Sequence, residues 1–201
     1  MNKPRAVSDP IRLVLASTSR YRKELLERLR VPFSTASPGV DETREPGEDP
    51  VALVHRLARE KAEAVAARFP GAVVIGADQT AVRGQTLLGK PGSEERCVAQ
   101  LRDSSGQRVA FHTAVHVLDT RSQRHDAHVD TTTVTFRQLD EAEVTRYVAV
   151  ERPLDCAGGF KCEGLGIALF ERIDSVDPTA LTGLPLIWLA AALRRSGLAI
   201  P

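Results

Sequence analysis

The sequence predicts an α/β fold. Three observations carry that expectation: two short apolar runs, Leu13–Ala16 and Ala72–Ala77, read as buried parallel strands; amphipathic helical segments alternate with them; and the alternating runs 108–119 and 127–136 read as a long antiparallel hairpin. A parallel part joined to a hairpin predicts two lobes, and 201 residues suit one domain or two closely packed lobes. With 27 basic against 26 acidic side chains and 42% hydrophobic residues, the chain is neither a disordered tail nor a broadly basic nucleic-acid surface. Residues 1–10 are polar, carry two prolines and are expected to be a flexible segment without an apolar leader. No run approaches the roughly eighteen apolar residues of a membrane span, so a cytoplasmic protein with neither membrane nor nucleic acid as partner is expected. Cys97, Cys156 and Cys162 lack a C-x-x-C spacing, which argues against a disulfide framework or zinc ribbon; Cys97, at helical spacing from Leu101, reads as core.

The first strand breaks into hydroxyls and cations where a helix begins. Ser19 can cap the helix carrying Leu25, Leu26 and Leu29, and its first turn holds Arg20, Arg22 and Lys23. Free N–H groups, Ser17, Ser19 and fixed positive charge converge there, which suits phosphate oxygens; a basic, solvated helix start is the alternative.

Val31–Ala36 reads as a short strand, followed by a polar loop to Asp49 that carries Asp41, Glu42 and Glu45. Asp49-Pro50 starts a helix that runs to about Phe69, where Pro70-Gly71 stops it, with an apolar stripe through Val54, Leu57, Ala58, Ala62, Val65 and Phe69. Lys61 lies inside this stripe; it either snorkels to water or meets an anion. Asp78 is expected at the carboxyl end of the strand Ala72–Ala77, where open α/β sheets place their chemistry. Gly84–Lys90 has the spacing of a P-loop, but Pro91 replaces the Ser or Thr that would ligand magnesium, and the flanks read as a hairpin. Lys90 can still aim at a phosphate. A helix follows the capping residue Ser93.

His112 and His116, on one strand, would stand about 13 Å apart, too far to share a metal, and His125 and His128 at the hairpin tip read as solvated. Asp140–Glu143 predicts a capped helix through Val148, Ile167–Phe170 an apolar strand, and Leu184–Leu193 a buried last helix closed by Gly197. The glycine-rich stretch 155–166 reads equally as a ligand rim or a plain loop.

Ser17, Ser19, Arg22, Lys61 and Lys90 thus supply phosphate-binding groups, and Glu42 and Asp78 supply carboxylates for a hard divalent cation and a water. That inventory suits cleavage of a nucleoside triphosphate, whose charge shifts onto bridging and leaving oxygens during the reaction. In order along the chain, Leu-Ala-Ser-Thr-Ser-Arg-Tyr-Arg at 15–22, Val-Asp-Glu at 40–42, Leu-Ala-Arg-Glu-Lys-Ala at 57–62, Gly-Ala-Asp-Gln at 76–79 and Gly-Lys-Pro at 89–91 resemble the Maf family of nucleoside triphosphate pyrophosphatases. The resemblance implies an inosine-triphosphatase-like fold over residues 11–201: an elongated mixed β-sheet flanked by helices in two lobes with a central cleft. It also implies dependence on Mg²⁺ or Mn²⁺, release of pyrophosphate and a nucleoside monophosphate, and a homodimer. Asp78 becomes the proton acceptor, Glu42 and Asp78 the metal ligands, and Ser17, Arg22, Lys61 and Lys90 the phosphate-side groups. Arg20 departs from the proline common in the family, which should loosen the phosphate turn without removing a ligand.

Three positions tied to base choice in the family fall here on Tyr21, Gln79 and Glu163, a set that resembles the 7-methyl-GTP branch. Tyr21 can stack on a cationic methylated purine and Glu163 can accept its N1–H and N2–H. Tyr21 stands where that branch has tryptophan, a larger stacking platform. The alternatives are a dTTP/UTP pyrophosphatase and a nucleotide-binding regulator of cell division that does not cleave.

Overall fold

The computed structural model describes residues 11–201; the segment 1–10 lies outside them. The elements in order are β1 (Leu13–Ala16), α1 (Arg20–Glu27), β2 (Ser34–Thr35), α2 (Pro50–Ala66), β3 (Val73–Arg83), β4 (Thr86–Leu88), α3 (Glu94–Ser104), β5 (Arg108–Asp119), β6 (Arg124–Phe136), α4 (Glu141–Glu151), β7 (Phe170–Asp174) and α5 (Leu186–Arg195), with 3-10 turns at Ala157–Gly159, Leu165–Leu169 and Ala180–Thr182. They build one seven-stranded mixed sheet in the order β2-β1-β3-β5-β6-β7, with β4 paired to β3. The α/β class and the flanking helices agree with the expectation.

The parallel part is short and the antiparallel part long. β1 pairs in parallel with β3 from Leu13↔Val73 to Ala16↔Gly76, and β3 then runs antiparallel to β5 from Val73↔Asp119 to Val82↔Ala110. β4 joins β3 only from Ala81↔Leu88 onward. Between the end of β1 and the start of β4, residues 77–80 of β3 therefore carry no strand on that side, and this break in the sheet positions the cleft.

One part of the core packs β1, the first half of β3 and the second half of β5 against α1 and α5, through Leu15, Ile75, Val117 and Leu189. A second part packs the other half of β5 with β6, α3 and α4 around Phe111, Phe136, Leu101 and Val148. On the opposite face α2 lies directly on β3. Gly76 makes this approach possible, because a Cβ there would stand 2.1 Å from the carbonyl oxygen of Ala58 and 2.6 Å from the amide of Ala62. Asp49 caps α2 through Val51 N at 2.8 Å, with Pro50 in the first turn, and α4 has the full capping box of Asp140 and Glu143.

Several expectations need correction. The strand expected over 31–36 is only Ser34–Thr35, because β1 offers it a register of just two residues. Asp78 is inside β3 rather than at its end, since β5 continues to satisfy the backbone after β1 has stopped. The apolar stretch Ile167–Phe170 is a 3-10 turn that becomes strand only at Phe170; Gly166 sits so close to Lys161 that a Cβ would lie 2.4 Å from its carbonyl oxygen, a local crowding that periodicity cannot reveal. His128 stacks on Trp188 with ring centroids 5.3 Å apart, and His125 donates to or accepts from buried His116 at 2.9 Å, so neither is simply solvated. The helix expected to end at Val148 continues to Glu151, where Arg152 in the left-handed conformation (φ 45°) closes it, α2 stops at Ala66 rather than near Phe69, and the last helix starts at Leu186 rather than Leu184 because Pro185 stands just ahead of it.

Candidate active site

Lys61 is the centre of the site. Its place in the apolar stripe of α2 sends it inward, where it is 4% exposed, and its ammonium meets Asp78 Oδ1 at 2.6 Å and Glu42 Oε1 at 2.6 Å. Gly76 sets α2 close enough to β3 for the contact with Asp78, and the loop before α2 brings Glu42 from the other side. Burial by itself would raise the Glu42 carboxyl, but the Lys61 hydrogen bond, with the charges of Lys61, Lys90 and Arg22, holds it below the usual range. Burial draws Arg22 down while the Asp78 and Glu42 charges oppose it, so Arg22, Lys90, Lys61 and both carboxylates act within one electrostatic field.

These groups face a cleft of about 460 Å³ beside the break in the sheet. Ser17, Ser19, Arg22, Glu42, Lys61 and Lys90 line one part of it. Asp78 stands beside Lys61 at the edge of this group, its side chain 11% exposed. Ser17 Oγ accepts from Ser19 N at 3.1 Å and Arg22 Nη1 at 3.5 Å, while Ser19 caps α1 by accepting from Arg22 N at 3.4 Å. The hydroxyls thus fix the turn, and the first-turn N–H groups of α1 open toward the same space. Lys23 points elsewhere, exposed and 3.8 Å from Glu27, so it is no part of the cluster.

Tyr21, Gln79 and Glu163 line the same cleft, together with Phe160, Cys156 and Cys162. Alternation along β3 puts Gln79 on the sheet face opposite Asp78, against the 3-10 turn Ala180–Thr182. Cys156 and Cys162 lie in the cleft wall, where burial pushes each thiol up to about 11, a range of weak nucleophiles. Cys97 is buried, in agreement with its core reading.

Arg20 has a place that sequence reasoning did not find. Its guanidinium lies 4.7 Å from the centroid of the Tyr21 ring and donates to the Tyr21 hydroxyl at 3.1 Å. Gly183 and Thr113 were also missed. Arg22 Nε donates to Gly183 O at 3.2 Å, and Gly183, at φ 123°, would place a Cβ 3.3 Å from Arg22 Cγ. The only sequence signal for Gly183 is its position in Thr-Gly-Leu-Pro ahead of α5, a turn signal rather than a site signal.

The profile of the Maf-like protein family matches residues 12–196. The chain belongs to the Maf family. Among relatives, this Maf-family chain is 56% identical over 190 residues to a 7-methyl-GTP pyrophosphatase of Xanthomonas axonopodis pv. citri, covering 94% of this chain and 99% of the relative. It is 51% identical over 189 residues to the 7-methyl-GTP pyrophosphatase of Pseudomonas aeruginosa, covering 94% and 98%. Among solved structures, a HAM1 protein from Coxiella burnetii superposes with a TM-score of 0.52 at 12% identity, over 92% of this chain and all of that one, a likeness of fold. In this fold one cleft is lined by the cations Arg22, Lys61 and Lys90 and by the aromatic rings of Tyr21 and Phe160.

The carboxylates suit a hard cation, since Mg²⁺ is commonly held by one or two carboxylates with the substrate phosphates and water completing its shell. Glu42 and Asp78 bring two oxygen donors to within 2.6 Å of one positive centre, Lys61 Nζ. Among the described residues no group of three or more His, Cys, Asp or Glu could hold a metal. The donor set therefore fits an ion that arrives with a polyphosphate rather than one caged by protein alone.

Proposed function

We propose that this chain is a nucleoside triphosphate pyrophosphatase that hydrolyses 7-methyl-GTP to 7-methyl-GMP and pyrophosphate. The observation that carries the reading is the Glu42–Lys61–Asp78 cluster in one field with Arg22 and Lys90, at the side of a cleft that also holds Tyr21, Gln79 and Glu163. The names of relatives at 51% and 56% identity over nearly their full length support the substrate. Residues 11–201 act as one domain, its two lobes being the two ends of a single sheet.

Arg22, Lys61, Lys90 and the N-terminus of α1, with Ser17 and Ser19, bind and orient the triphosphate; four converging donors oppose its roughly four negative charges. Asp78 takes the proton of the attacking water, and the ammonium of Lys61, 2.6 Å from its Oδ1, aims that carboxylate. Glu42 and Asp78 would hold Mg²⁺ or Mn²⁺, which when bound supplies Lewis acidity at the scissile phosphoryl group. Tyr21 stacks on the base, and Glu163 accepts from its donor edge. The protein acts in the cytoplasm and as a homodimer, the latter tested by sedimentation.

The deciding assay is pyrophosphate release from a panel of modified and standard nucleotides with magnesium, in which 7-methyl-GTP should be preferred. Asp78→Asn should reduce kcat by about 100- to 10,000-fold, as expected for loss of a proton acceptor, with the fold retained. Release from no nucleotide would refute the activity, and preference for UTP or dTTP would refute the substrate.

A further inference from the structure

Gln79 has an amide whose two ends differ in chemistry, and its surroundings decide which end meets a ligand. Its Nε2 lies 2.8 Å from Thr113 Oγ1, 3.0 Å from Ala180 O and 3.1 Å from Leu181 O. Carbonyl oxygens can only accept hydrogen bonds, so the group turned toward them must be the amino nitrogen, and the reverse orientation would set three oxygens against a fourth. Thr113 is fully buried and sits directly opposite Gln79 in the β3–β5 register. Its hydroxyl donates to Ala180 O at 3.0 Å, which leaves its lone pairs to accept from Gln79. Both amide protons are thereby spent inside the protein.

From this we infer that Gln79 reads the base only as a hydrogen-bond acceptor, locked in that state by the positioning residue Thr113 and the carbonyls of Ala180 and Leu181. The inference rests on the reading that the base of a nucleotide occupies this part of the cleft. Glu163, on the same cleft, is an acceptor as well when ionised. Two acceptors and no side-chain amide donor make a wall complementary to a base edge that carries adjacent donors. A guanine-type edge, N1–H beside a 2-amino group, satisfies both; a uracil edge sets carbonyls on either side of its one N–H, and an adenine edge sets a bare ring nitrogen beside its amine. Such a site rejects the analogue lacking a donor because its own acceptors are left desolvated and unpaired.

The test compares 7-methyl-GTP with 7-methyl-ITP, which differs only by the missing 2-amino group. On the wild-type protein kcat/KM should fall by about 10- to 100-fold for the inosine analogue, the effect of one lost hydrogen bond to a charged or locked acceptor. Calorimetric binding of 7-methyl-GMP and 7-methyl-IMP should give the same ratio without any turnover, so it reads the wall even if pyrophosphate release fails. Thr113→Val, which removes the hydroxyl, should narrow the ratio several-fold and raise KM for 7-methyl-GTP more than it lowers kcat, and Thr113→Ser should restore both. Equal handling of the two wild-type ligand pairs would overturn the inference whatever the variants do; an unchanged ratio in a folded Thr113→Val protein would remove Thr113 from the lock.

Discussion

Lys61→Met isolates the charge at the centre of the site, because methionine retains most of the aliphatic stem while removing the ammonium that Asp78 and Glu42 share at 2.6 Å. A buried ion pair is nearly neutral against an apolar replacement of both partners, so the loss comes from the carboxylate left behind. Glu42, with its side chain 60% exposed, can turn to water and contributes little. Asp78, at 11%, cannot. Its charge is left buried without a partner, the situation in which removing one member of a buried pair costs at least about 3 kcal/mol. The expected destabilisation is therefore about 3–4 kcal/mol at pH 7, or roughly 6–16 °C in Tm for a chain of this size. Urea unfolding of wild type, Lys61→Met and Lys61→Met/Asp78→Asn at pH 7 measures it, and the double variant should regain most of the loss because no orphaned charge remains. A single variant within about 1 kcal/mol of wild type at pH 7, or a double variant no more stable than the single one, would show that Lys61 and Asp78 are not a buried pair.

Gly183→Ala forces a Cβ onto a φ of 123° and to 3.3 Å from Arg22 Cγ, so it should lower stability by about 1–3 kcal/mol and raise KM for the triphosphate; a melt and a KM indistinguishable from wild type would remove Gly183 from the placement of Arg22. Glu42 is held below its usual range, so its bond to Lys61 stabilises the fold above about pH 4.3 and is lost as pH falls through the depressed value; the stability gap between wild type and Glu42→Gln should therefore close in acid. Burial first, and then the neighbouring His125, His55 and Arg59 against the opposing Asp126, push His116 down to about 4. The unfolded chain takes up a proton below about pH 6.5 that the folded chain refuses, so wild type should lose stability between there and pH 4, and His116→Leu should flatten that slope in acid unfolding curves.

The cleft also explains why an ordinary cap motif and an ordinary turn matter here. Ser17 and Ser19 hold the start of α1, and the turn after Ala180 supplies carbonyls to Gln79 on one side and to Arg22 on the other. The base-facing and phosphate-facing groups are thus tied to one short segment, which Asp177 anchors by accepting from Thr179 N at 2.9 Å and Ile187 N at 2.7 Å.

Much of this was legible along the chain wherever a property is set by near neighbours. Helical spacing alone turns Lys61 inward, the hydroxyl before Arg20 announces the cap of α1, and Pro91 excludes a P-loop, because periodicity, capping and a missing N–H are local facts. The tertiary structure decided what depends on partners distant in sequence. It carried β3 past Asp78 by pairing it with β5, turned Ile167–Leu169 into a helical turn under the crowding at Gly166, laid Arg20 over Tyr21, and brought Thr113 and the carbonyls of Ala180 and Leu181 to the amide of Gln79. A strand's length, a buried charge's partner and the donor or acceptor state of an amide are all fixed by the groups across from it, and a linear pattern of residues does not say which groups those are.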